Sequence, residues 1–105
     1  MNIEDLELHD ALLNLCEIDY VNKTVSLDIC FFESEIAKNR VSAKLVFRNT
    51  SSISQVADLQ NMEKNAFAGN INHWIIGDRA SPTFIYLNDG CLSIKADKPE
   101  IQSLL

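Results

Sequence analysis

Glu17, Asp19 and Asp28 fall within the stretch CEIDYVNKTVSLDICFFE, which reads as two strands and a turn and sets all three acids on one face. Three carboxylates so placed could hold a cation, dock a basic partner or simply face water. A hard-metal site needs further oxygen ligands and a glycine-bearing loop such as DxDxDG, which is absent from the chain. Two carboxylates directly opposite on adjacent strands repel without a counterion. Lys44 and Arg48, on the polar face of a strand expected over 41–48, are the nearest suppliers. A solvated face neutralised by those bases is the first expectation, docking of a basic partner the second and metal a distant third.

The two histidines offer a different chemistry. His9 sits in LHDAL beside Asp10, a pair able to ligate a metal or act as a polarised base, but no HxH, HExxH or His-Cys spacing supports it. His73 alternates with Ile71 and Ile75, which predicts a hydrogen-bonded, half-buried ring. A cleft bringing His9, Asp10, His73 and Trp74 together would be a small-ligand or metal site; otherwise Trp74 belongs to the core. There is no GxSxG elbow, and Gly69, Gly77 and Gly90 are too scattered for a phosphate loop. No catalytic set and no cofactor follow from these residues.

A length of 105 residues suits one core, read as a single domain over 1–105. The net charge of -6 is unevenly spread: residues 1–35 hold nine acids against one base, a balance of -8, and the other seventy hold six acids against eight bases, a balance of +2. An acidic first third disfavours nucleic acid and anionic membrane, and is compatible with a basic protein partner. Apolar runs reach only four residues and the start, MNIEDLELHD, is acidic, so the expectation is cytoplasmic. Cys16, Cys30 and Cys91 form no CxxC pair and read as free thiols.

Val25, Leu27, Ile29 and Phe31 alternate with polar residues, and 12–20 alternates before them, so a hairpin is expected with Tyr20 opposite Val25 and Glu17 opposite Asp28. A capping box from Ser52 to Gln55 and spaced apolar residues predict a short helix at about 53–68, with Gly69 closing it. A short strand is expected at 71–76. A second hairpin, TFIYLNDGCLSIKA, should turn at Asp89 and Gly90 with positive φ, pairing Leu87 with Leu92. Residues 1–8 and 98–105 read as frayed ends or edges. The fold class is therefore mainly β: an antiparallel sheet or small two-sheet sandwich built from hairpins, with at most one short helix. The alternative is α+β, with that helix packed on one curved sheet.

The segments LHDALL, NAFAGNINHW and FIYLNDGCLSIKA resemble the pattern of a group of small bacterial cytosolic proteins of unknown function. The resemblance implies a bacterial, cytosolic origin and transfers no activity or site residue. The functional expectation is a non-enzymatic interaction module of the immunity-protein type, docking a basic partner by Glu17, Asp19 and Asp28. The alternatives are a small-ligand or metal-binding domain and a structural homo-oligomer formed through an exposed sheet edge.

Overall fold

Alternation with a period of two dominates the chain, and the computed structural model, which describes residues 2–65 and 69–103, answers it with strands. They are β1 (Leu12–Asp19), β2 (Thr24–Phe31), β3 (Val41–Phe47), β4 (Ser52–Ala57), β5 (Gly69–Ile75), β6 (Thr83–Leu87), β7 (Gly90–Lys95) and β8 (Glu100–Ser103). A 3-10 turn, Ile3–Asp5, precedes them, and one helix, α1 (Leu59–Asn65), separates β4 from β5. The strands form one antiparallel sheet in the order β4-β7-β6-β5-β1-β2-β3-β8. The protein is mainly β with a single short helix among the described residues.

The sheet has a thin seam. Among the described residues β1 meets β5 through Leu12↔Asn70 and Leu13↔Gly69, whereas β2 and β3 pair over seven positions. Leu27, Leu45 and Phe47 from one side of the seam and Ile85, Leu92 and Ile94 from the other lie in one buried cluster. The two four-stranded halves therefore fold over one another with inner faces together. Each fully buried side chain of this size contributes about 1.5–3 kcal/mol relative to its exposed form.

Both expected hairpins form, but each slides by two residues from the expected register. In the first, Ile18 pairs with Val25 and Glu17 with Ser26, so Asp28 lies opposite Leu15 rather than Glu17. The turn explains the slip. Asp19 Oδ1 accepts the amides of Val21 and Asn22 at 3.0 Å each, and Lys23 takes φ 56, so the loop closes one residue earlier, at Asp19↔Thr24. In the second, Leu87 pairs with Gly90 and Ile85 with Leu92, leaving Asn88 and Asp89 as the turn. Neither turn residue nor Gly90 has positive φ. Gly90 is needed for space instead: a Cβ there would stand 2.2 Å from the Val56 carbonyl oxygen of the neighbouring strand.

The expected helix is shorter and later. Residues 52–57 are β4, running beside β7 from Ser52↔Lys95 to Ala57↔Gly90, with Ile53 half-buried against the core. Pairing with β7 gives that segment a full ladder that an isolated helical turn cannot match, so tertiary context overrides the capping signal. The actual cap is Asp58, whose Oδ1 accepts the Asn61 amide at 3.1 Å. Gly69 opens β5 instead of closing the helix, and the expected helical positions Ala66 and Phe67 lie outside the described residues.

Two irregularities change which way side chains point. Asn14 interrupts the β1–β2 register just past Leu12 and Leu13, the two positions where β1 also pairs with β5, and Asn72 interrupts β5–β6. Beyond Asn72, His73 shares the outer face with Tyr86 while Trp74 turns inward opposite Ile85. Residues 2–8 are not frayed. Ile3, Leu6 and Leu8 are buried, and Ala11 and Ile71 exchange backbone contact through Ile71 N–H to Ala11 O at 2.8 Å.

Candidate functional site

The anchored N-terminal segment forms one wall of an open groove on the surface. Leu6 and Leu8 point into the core, so the alternating Glu7 and His9 are left on the surface. The Trp74 indole N–H donates to the Leu6 carbonyl at 3.2 Å and fixes the height of that wall. The opposite wall is the chain leaving β2, where Phe31 is buried and Glu33, Ser34 and Glu35 are exposed.

Arg40 joins the two walls. Its Nε and Nη2 both donate to the Asp10 carbonyl, at 3.2 and 2.9 Å, and its guanidinium lies 4.6 Å from the centroid of the Phe32 ring. Asp10 itself takes φ 67, a left-handed conformation that aspartate tolerates better than most residues. The resulting groove is about 750 Å³ and is lined by Asp5, Glu7, Asp10, Glu33 and Glu35, with Phe31 and Phe32 as its aromatic part. Five carboxylates on one concave surface focus a negative potential where a cationic group would enter.

His9 also lines the groove and is the one side chain there whose charge changes near neutral pH. Its Nδ1 lies 2.8 Å from the Asn72 carbonyl, which can only accept, so Nδ1 carries the proton and Nε2 faces Asp10 Oδ2 at 3.7 Å. The carbonyl contact first, then the charges of Asp10 and Glu7, raise the His9 pKa above 6.5. The His9 amide donates to Glu7 Oε1 at 2.8 Å, tying that carboxylate to its own segment.

The residues singled out from sequence are dispersed. His9 and Asp10 share the groove, and Trp74 supports it from behind through Leu6. His73 is exposed on another face, stacked on Tyr86 at 4.6 Å between ring centroids, and not half-buried as its alternation with Ile71 suggested. Among the acids, Asp28 faces Lys44, with 3.7 Å between Oδ1 and Nζ, as the expected ladder requires. Arg48 instead pairs with Glu100 at 3.4 Å. Asp19 is engaged by its own turn, and the Asn22 amide and side chain lower its pKa. Glu17 remains exposed across from Ser26.

Among the described residues, no three histidine, cysteine or carboxylate side chains converge as a metal-binding set. No helix among them is long and apolar enough to cross a membrane. Sequence reasoning missed Arg40, which clasps the groove from beside it, and the lining acids Asp5, Glu7, Glu33 and Glu35. The signal for them was the density of acids in two separate stretches, and the fold supplies their juxtaposition. Comparison of the chain with protein-family models, with curated proteins and with solved structures gives no match.

Proposed function

We propose that this protein is a non-enzymatic interaction module whose acidic groove receives a basic segment of a protein partner. The observation that carries this reading is the convergence of Asp5, Glu7, Asp10, Glu33 and Glu35 on one groove beside the Phe31 and Phe32 rings. Carboxylates attract and orient a cationic segment, and aromatic surface accepts the aliphatic stems of its Lys and Arg side chains. The acids of the first hairpin are a poorer docking patch, since Asp19 and Asp28 already have partners within the chain.

Immobilised protein is exposed to source-cell lysate at low salt and eluted with a salt gradient, alongside a triple variant Asp5→Asn, Glu33→Gln, Glu35→Gln and a control Glu17→Gln. The expected result is a basic protein retained equally by wild type and control and bound at least about tenfold more weakly by the triple variant. Equal retention by all three proteins would remove the groove from the reading.

The groove volume also favours a second reading, in which a small cationic ligand occupies it, because pockets for such molecules span roughly 300–1,000 Å³. That reading expects a rise in melting temperature with small polyamines, and no rise across them would exclude it.

A further inference from the structure

The two edges of the sheet are built very differently. β8 spans four residues, follows Lys98 and the buried Pro99, and carries Glu100 in an ion pair with Arg48. Short length, charge and a neighbouring proline are the usual means of keeping an edge from pairing with another chain. β4 has none of them. Its sequence, SISQVA, holds no charge and no proline, its six-residue ladder with β7 has no bulge, and five of its six residues are exposed.

We propose that β4 pairs antiparallel with β4 of a second copy, making one continuous sheet across a two-fold axis beside Gln55. The register follows from the ladder. The Asp58 amide donates to the Asp89 carbonyl at 2.9 Å, so the even-numbered residues of β4 turn their backbone groups toward β7. Ile53, Gln55 and Ala57 then point theirs outward. Placing Gln55 opposite Gln55 of the second copy sets Ile53 opposite Ala57 and uses all three outward residues on both chains. The same register puts Ser54 opposite Val56, whose side chain is 72% exposed, so the outer apolar surface is covered in the same step.

Charge selects the occupant. Each copy carries -6 overall, so two copies can approach closely only where the surface is neutral, and β4 is a neutral strip. A strand of a basic partner would find no carboxylate on β4 to hold it. Because the opposite edge follows Pro99 and carries the Glu100–Arg48 ion pair, the pairing closes at two copies instead of running on as a fibre.

Sedimentation equilibrium of the intact protein, from micromolar to millimolar concentration, tests this directly. Wild type is expected to reach a mass twice that of the chain. Gln55→Lys puts two like charges face to face across the axis, and Gln55→Pro removes an outward amide without touching the β7 ladder; both are expected to remain monomeric with unchanged far-UV circular dichroism. Gln102→Lys, on β8, is expected to dimerise as wild type does. Amide exchange at Ile53, Gln55 and Ala57 should slow as concentration rises. A wild type that stays monomeric at millimolar concentration, or a dimer that survives both Gln55 variants, would overturn the proposal.

Discussion

The two halves of the sheet bury similar inner faces and present opposite outer ones. Across β1, β2, β3 and β8 the outer face carries Glu17, Asp28, Lys44 and Glu100, an acid-base ladder. Across β5, β6, β7 and β4 it carries His73, Phe84, Tyr86, Cys91 and Val56, with Lys95 as its charged residue at one end. Inner faces have to meet in one core and are held to apolar residues at every second position. Outer faces carry no such constraint, so their difference reports what each half meets in solution.

The largest expected effect tests whether the halves are one folding unit. Leu45 is fully buried in the shared cluster, and Leu45→Ala should cost about 2–5 kcal/mol. If the core is common, urea transitions followed by Trp74 fluorescence, which reports the β5 half, and by far-UV circular dichroism will shift together. Separate shifts would mean that the seam at Leu12 and Leu13 divides two independent units.

The same inner–outer distinction explains what could be read from the chain. Alternation assigned Val25, Leu27, Ile29 and Phe31 to the core side correctly, and a register slip of two residues leaves that assignment intact. What slipped was the turn, because Asp19 caps its own loop and Gly90 serves an interstrand contact with Val56. Asn14 and Asn72 are inconspicuous in sequence, yet each reverses the faces of the residues beyond it, and His73 was misplaced for that reason. Leu6 and Leu8 alternate with Glu7, a burial signal in the segment whose position at the end of the chain suggests fraying. The groove was not legible, because Asp10 and Glu33 meet only through the path of β2 and the Arg40 clasp.

A smaller effect sharpens the contrast between outer faces. Asp28 Oδ1 is out of contact with solvent and has no hydrogen bond, so among the described residues Lys44, at 3.7 Å, is the charge that offsets it. Lys44→Met should cost about 1–2 kcal/mol, because a carboxylate is left partly desolvated without its cation. Adding Asp28→Asn should recover most of that loss. On the other half, Ser93→Thr removes no such partner and should change stability by less than about 0.5 kcal/mol. Denaturant midpoints of the four proteins read this out, and equal losses at Lys44 and Ser93 would erase the distinction.

The smallest expected effect separates the acidic groove from the neutral edge. His9 has a folded pKa raised above its ordinary 6.5, chiefly by the Asn72 carbonyl and then by Asp10 and Glu7. Its protonated form therefore favours the fold, a contribution fully present below pH 6.5 and lost as pH rises through the folded value. The same proton adds a positive charge among the groove carboxylates, so a basic peptide should bind more tightly as pH rises through that value and less tightly below it. No titratable side chain lies on β4. Self-association should therefore be flat from about pH 6 to about pH 8, where histidine charge changes. His9→Gln should flatten the peptide titration and leave sedimentation untouched. If the substitution alters sedimentation, groove and edge are coupled, and the two outer faces are not independent surfaces.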